Sequence, residues 1–303
     1  MAMGSGCAFI DGTYMETDDA KVSIMDFGFE RSDVVYDTTS TWKGSFFRLD
    51  DHVTRFLTSC EGLRLELPHD RDEIKRILAE VTQRGGLQDA YVRCALTGGY
   101  YTSDNVLDFR EAKPTFLAYA VPYVWISSPE QQTGTGLHAH IAETRRIPDE
   151  AVNQRYKNHH WGDLTMAQLE ARDAGADIAV LLGITGNLTE SIGSNLFWWK
   201  NGTLFTPESN CLGGITRMTV FDLAKEMGVD VATGDYPGDA LLDADEAFLS
   251  STAGGIMPVS RVDGQPLGEG KPGRQTLALR ELYWSKREAG WHGTPIADLL
   301  EGK

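Results

Sequence analysis

Apolar residues recur at two spacings along this 303-residue chain, and the spacings mark out its elements. Phe9-Ile10 and Tyr14 flank an Asp11-Gly12 turn, and Lys21 to Met25 reads as a short strand. Asp33 to Ser40 is rich in β-branched residues, and Lys43-Gly44 then turns the chain into Ser45-Phe46-Phe47-Arg48-Leu49. Residues 1–50 therefore read as β structure. Next, Val53, Phe56, Leu57, Cys60 and Leu63 follow helical spacing, with Asp51 as the N-cap candidate. A second helix carries Ile74, Ile77, Leu78 and Val81 on one face and stops at Gly85-Gly86. Ala90 to Thr97 and Pro114 to Val124 read as strands, and Gly98 to Asp104 between them as a mobile loop.

The second half repeats this mixture. A helix covers about Leu164 to Arg172, and Ile178 to Leu182 is a buried-strand run. Asn201-Gly202 between Asn195–Lys200 and Thr203–Thr206 is the strongest hairpin signal in the chain. Helices from Thr216 to Met227 and from about Arg274 to Arg287 surround a further strand at Ala247 to Ser250 and a hairpin at Val262 to Gln265. The pattern predicts an α+β protein of two domains, residues 1–124 and 137–303, joined by a linker at 125–136.

Composition narrows the partners. The 28 basic and 44 acidic residues leave a net charge of −16, which argues against nucleic acid or an anionic membrane. Cys7, Cys60, Cys94 and Cys211 are scattered, and neither a signal peptide nor a long apolar run is visible. Reduced thiols in the cytoplasm are the expectation.

Four segments carry candidate chemistry. Arg155-Tyr156-Lys157-Asn158-His159-His160-Trp161 sets one lysine among bulky and polar neighbours. Glu190 follows a turn; a carboxylate against a pyridine nitrogen keeps it protonated and makes the ring an electron sink. Gly213-Gly214-Ile215-Thr216 opens a helix, where free amide groups and the helix dipole suit a phosphate. Ser251-Thr252-Ala253-Gly254-Gly255 leaves a strand with hydroxyl and amide donors. Taken singly, these read first as a surface lysine, a turn glutamate, a helix cap and a small-residue turn; together they look like the pocket of a pyridoxal-phosphate enzyme. Gly268 to Gly273 fits G-x-G-x-x-G, but it follows a hairpin and contains Pro272, so it is set aside as a dinucleotide site. His138/His140 and His159/His160 lack the spacing of a helical zinc site, and no metal is expected.

The order Lys157, Glu190, Asn195-Leu196-Phe197, Gly214-Ile215-Thr216-Arg217, Ala244 to Phe248 and Ser251-Thr252-Ala253 resembles the class IV aminotransferases, the fold-type-IV pyridoxal-phosphate family. The resemblance implies a smaller N-terminal α/β domain and a larger C-terminal domain with a β-barrel-like core. Phe46 to His52 with Arg55, Lys157-Asn158 with Trp161 to Leu164, and Thr252 to Pro258 are most similar to the (R)-selective amine transaminases. On that likeness Lys157 is the Schiff-base lysine and proton shuttle, and Glu190 pairs with the ring nitrogen. Arg55, Ile215, Thr216 and Thr252 hold the phosphate, with Asn195 and Ser251 also in the cofactor site. Arg31, Tyr36, Arg93, Trp161 and Ala253 line the substrate pocket.

Two departures bear on the donor. Tyr91-Val92-Arg93 resembles the branched-chain enzymes, in which the arginine helps with the substrate carboxylate, and Arg31 stands where many amine enzymes have histidine. The expected activity is a ping-pong, Schiff-base transfer of an amino group from an (R)-amine or D-amino acid to a keto acid such as pyruvate. A branched-chain amino acid aminotransferase, or a lyase of the aminodeoxychorismate type, is the alternative. The resemblance also implies a homodimer.

Overall fold

In a computed structural model, which describes residues 5–102 and 108–301, the β-branched run becomes the strand Val34–Trp42, buried along almost its whole length. The chain divides into two compact units. The first comprises Met1–Val124, Tyr156–His160 and Arg287–Lys303; the second comprises Trp125–Arg155 and Trp161–Lys286.

The first unit is built on a seven-stranded antiparallel sheet. Its order is Gly293–Pro295, Ser45–Phe47, Val34–Trp42, Ala90–Thr97, Phe116–Pro122, Cys7–Ile10, Thr13–Glu16. Val34–Trp42 and Ala90–Thr97 pair in unbroken register from Val34 opposite Thr97 to Thr41 opposite Ala90. Helices Leu49–Gly62 and Arg71–Arg84 bury Val53, Phe56, Ile74 and Leu78 against Phe46, Val92, Leu96 and Phe116. Each such side chain removed from water contributes about 1.5–3 kcal/mol. A capping box of Asp70 and Glu73 closes the start of the second helix.

In the second unit six strands close on themselves. Leu188–Ser191 pairs with Ile178–Leu182, which leads through Leu137–Arg145, Gly255–Val262 and Glu246–Ser251 to Ser194–Lys200; that strand returns to pair with Leu188–Ser191. Closure satisfies both edges of every strand in the ring. Thr203–Pro207 and Val231–Gly234 extend it outward, across the Asn201-Gly202 hairpin. Helix Gly162–Asp173 lays Ala167 and Ala171 on Ala142, Ala179 and Leu181, small side chains that permit close approach.

Several expectations change. Lys21–Met25 forms no strand, and Ile24 and Met25 are exposed; Asp26 instead caps a short helix, Phe27–Arg31. The next helix starts at Leu49, ahead of Asp51, after Arg48 in a left-handed conformation. Within the expected mobile loop, Tyr100–Tyr101 pairs with Ala112–Lys113, while Ser103 and Asp104 lie outside the described residues. Residues 125–136 hold the helix Pro129–Thr133, and Gln132 donates to the carbonyls of Ser127 and Gly254, so the stretch is part of the second unit. Tyr156–His160 and Arg287–Lys303 fall in the first unit, on the other side of a cut at 137. All four cysteines are buried free thiols. Among the described residues no helix is long and apolar enough to cross a membrane.

Candidate active site

Lys157 is held by backbone rather than by a helix of its own. Ser45–Phe47 pairs with Val34–Trp42 only at Thr41 and Trp42, which leaves one edge open at the strand's start. Residues 157–159 take it: the Tyr36 amide donates to the Lys157 carbonyl (3.0 Å), the His159 amide donates to the Val34 carbonyl (3.2 Å), and Asn158 bridges Val35. The Lys157 amide donates to Ser59 Oγ (3.0 Å), and the Asn158 side chain ties together Tyr156 and His160. A Cβ on Gly62 would run into the Tyr156 ring, so the helix approaches this segment only because position 62 is glycine.

The half-buried Lys157 side chain sets Nζ 4.6 Å from the centroid of the Tyr36 ring, and the Arg93 guanidinium lies 4.3 Å from the same centroid. Arg93 donates to Tyr91 Oη (3.2 Å) and Thr38 Oγ1 (3.4 Å). Arg55 grips Asp37 through Nε (2.7 Å) and a terminal nitrogen (2.9 Å), and His52 Nδ1 is 2.7 Å from the same carboxylate. Burial alone would raise the Asp37 pKa, but Arg55 and His52 hold it well below the usual carboxylate range. Burial lowers the His52 pKa against the pull of Asp37, and Nδ1, which faces that carboxylate, is the ring nitrogen that donates to it. Burial, then the charge of Arg55, brings the Lys157 ammonium down to about 8, with Asp37 acting in opposition. Burial, with Arg93 and Lys157 beside it, takes His159 down to about 4. Lys157 is thus an amine that can lose its proton near neutrality, as a nucleophile must.

The second unit assembles Glu190, Asn195, Ile215 and Thr216 through one loop. Glu190 and Asn195 face each other across neighbouring strands. Glu190 Oε2 accepts from the Leu212 amide (3.1 Å), and Asn195 Nδ2 donates to the Leu212 carbonyl (2.7 Å). A Cβ on Gly214 would overlap Asn195 Oδ1, so only glycine fits there. The loop delivers the chain into helix Ile215–Glu226 with Gly214 as N-cap, which has no side chain to cap the first amides. Helix Arg274–Glu288, which also follows a glycine, differs: Glu246 accepts from the amides of Gln275 (3.1 Å) and Thr276 (2.8 Å). Its anion place is taken by protein, which removes Gly268–Gly273 as a phosphate loop.

Behind Glu190 stands Arg146. Nε of Arg146 donates to Glu190 Oε1 (3.0 Å), one terminal nitrogen to Asp163 Oδ2 (2.5 Å) and the other to Gln154 Oε1. Ser251 Oγ donates to the Gly193 carbonyl (2.9 Å), on the strand neighbouring Asn195, and the Ala253 carbonyl accepts from Ile126 (3.0 Å). Trp161 is half-buried at the start of helix Gly162–Asp173.

The structure therefore groups Lys157, Tyr36, Arg93 and Arg55 in the first unit, and Glu190, Asn195, Ile215 and Thr216 in the second. Arg31 stands elsewhere: its guanidinium lies over Phe27 (4.3 Å) and Phe109 (5.2 Å), its side chain 41% exposed beside Glu30. Asp37, His52, Arg146 and Asp163 carry no role in the sequence analysis: His52 and Asp163 enter only inside segments of the resemblance, and Asp37 only as a charge inside an otherwise β-branched run.

The donor chemistry fits pyridoxal phosphate: a deprotonatable lysine, a buried carboxylate, and a helix start whose glycine cap offers its amides no side chain. A family model described as amino-transferase class IV matches residues 34–262. A provisionally named branched-chain-amino-acid aminotransferase of Methanocaldococcus jannaschii is 33% identical over 278 residues, 91% of this chain and 94% of that protein. The aminodeoxychorismate lyase of Bacillus subtilis is 30% identical over 279 residues, covering 91% of this chain and 92% of its own length. Among solved structures, the branched-chain aminotransferase of the thermophilic archaeon Thermoproteus uzoniensis with norvaline is similar at a TM-score of 0.87. It shares 28% identity, and the match covers 97% of this chain and 100% of that one.

Proposed function

This chain belongs to the class IV aminotransferases, pyridoxal-phosphate-dependent enzymes of fold type IV, and on that premise we propose that it transfers the amino group of a branched-chain-type α-amino acid to a keto acid. The observation that carries the reading is Arg93. Its guanidinium and the Lys157 ammonium share the Tyr36 ring, and its hydrogen-bond partners are hydroxyls. A guanidinium so placed is a carboxylate site next to the amine that handles the substrate carbon. Amino acids and keto acids both bring that carboxylate; a simple amine does not. Two of the three relatives named above, the branched-chain aminotransferases, support that side of the choice over the (R)-amine.

Bound pyridoxal phosphate supplies an aldehyde for an amine and a ring that accepts the electron pair of the substrate carbon. Lys157 would be the covalent anchor; freed by the donor, its Nζ would carry the proton from the substrate α-carbon to the cofactor's aldehyde carbon, and in the opposite half-reaction from that carbon to the keto-acid carbon. Arg55, Thr252 and the amides of Ile215 and Thr216 hold the phosphate, and Glu190 holds the ring nitrogen. Asn195 and Ser251 support the backbone that presents these groups. Trp161 and Ala253 are assigned to the substrate side chain, and Arg31 to no direct role. A homodimer belongs to the same reading and is checked by sizing of the active enzyme.

Borohydride reduction of the holoenzyme should fix the cofactor on the peptide that contains Lys157. A donor panel with pyruvate and 2-oxoglutarate, scored for stereochemistry, should favour L-valine, L-leucine and L-isoleucine. Faster turnover of neutral (R)-amines than of any amino acid would sink the substrate assignment. Conversion to the aminated cofactor with donor alone separates transamination from a lyase.

A further inference from the structure

Arg146, Asp163 and Glu190 form a buried trio, all less than a tenth exposed, with one cation between two carboxylates. Every arm of the guanidinium is used: Nε on Glu190 and the terminal nitrogens on Asp163 and Gln154. A buried charge without compensation costs several kcal/mol, so the excess negative charge must be settled somewhere. Asp163 has its own compensation. It accepts from the amides of Ile147 (2.7 Å) and Leu164 (2.8 Å) and lies in the first turn of helix Gly162–Asp173, where the helix dipole favours an anion. Among the described residues Glu190 has, beyond Arg146, the single amide of Leu212.

We propose that Asp163 is a positioning residue that tunes the cofactor ring through Arg146: by drawing one arm of the guanidinium, it leaves Glu190 negative charge with which to hold a protonated ring nitrogen. This rests on the reading of Glu190 as the ring partner. Were Arg146 to serve Glu190 alone, the pair would be neutral and its hold on a pyridinium weaker. With Asp163 in place the trio carries a net negative charge that a protonated ring cancels. Asp163 touches neither cofactor nor substrate in this scheme.

The test is the ¹⁵N resonance of ring-labelled pyridoxal phosphate in the holoenzyme at fixed pH, which reports protonation of the ring nitrogen whether or not the enzyme turns over. Asp163→Asn keeps shape and removes charge; Asp163→Ser keeps an acceptor for the two amides and provides a second variant if the first folds poorly. Both should move the resonance toward the unprotonated value. Both should also narrow the preference for the natural cofactor over its 1-deaza analogue, which lacks the nitrogen. Folded variants with an unmoved resonance, or failure of both to fold, would overturn the proposal and leave Asp163 a scaffold residue. Glu190→Gln separates the two readings. If that variant leaves the resonance unmoved, the ring-partner reading has failed; if it moves while the Asp163 variants do not, only the tuning has failed.

Discussion

Both units bury ionised groups, and the two sets carry opposite excess charge. In the first, the cations Arg55, Arg93 and Lys157 gather around Tyr36 and the Asp37 carboxylate. In the second, one guanidinium, Arg146, serves both Asp163 and Glu190. Neither set is balanced within itself, and an unbalanced buried charge is tolerated only where something else offsets it. Pyridoxal phosphate brings both signs, a phosphate anion and a ring nitrogen that takes a proton. On the roles proposed above, the cationic set is the one assigned to anions and the amine, and the anionic set the one assigned to the ring.

The contrast can be broken most severely at Lys157. Lys157→Ala should lose covalent attachment of the cofactor and slow amino transfer by roughly 10²–10⁴-fold from the lost proton transfer alone, measured by stopped-flow half-reactions. Next comes Asp37→Asn, which leaves Arg55 buried with a neutral partner and should cost about 3–5 kcal/mol in denaturant unfolding. Because the folded pKa of Asp37 is depressed, its stabilisation is complete above the ordinary carboxylate range and is lost progressively as pH falls below that range toward the depressed folded value. The variant should accordingly lose part of the acid dependence of the wild type, and an unchanged pH profile would falsify the assignment. Arg93→Leu should raise KM for keto acids about ten- to hundredfold, the worth of a charge-assisted hydrogen bond, and leave neutral amines unaffected. The smallest effect sharpens the second unit. Gly214→Ala, whose methyl meets Asn195, should lose about 1–3 kcal/mol of stability and weaken cofactor uptake, whereas Gly213→Ala, built into open space, should change neither.

Much of this was legible in the sequence wherever local chemistry decides. The strands at Val34–Trp42 and Ala90–Thr97, the Asn201-Gly202 hairpin and the helix at Ile215–Glu226 follow from β-branching, turn residues and apolar spacing. The cofactor residues came from order and likeness, not from periodicity. What stayed hidden was set by tertiary pairing. Nothing local says that residues 157–159 complete the edge of Val34–Tyr36, or that Leu188–Ser191 and Ser194–Lys200 close a ring. Lys21–Met25 shows the reverse error: its composition suits a strand, but among the described residues no neighbouring strand pairs with it. Arg31 and Arg93 look alike in sequence, and only their surroundings, an exposed aromatic perch against a half-buried group of hydroxyls, separate them. Buried charges such as Arg146 and Asp163 are invisible for the same reason, since a polar residue announces its burial only through its partners.

The backbone pairing of Lys157 with the first strand also sets an order of events during synthesis. The strand Val34–Trp42 emerges early, with its sheet neighbour Ala90–Thr97 soon after, yet the edge at Val34–Tyr36 gains its last partner only once residues 157–159 have followed. Until then the nascent chain carries an unpaired strand edge, the kind of surface that recruits other chains. Contacts so distant in sequence form late. The proposed anchor for the cofactor is therefore completed by the same step that shields this edge, and a chain cut short before Tyr156 should be both unable to bind the cofactor and prone to aggregate.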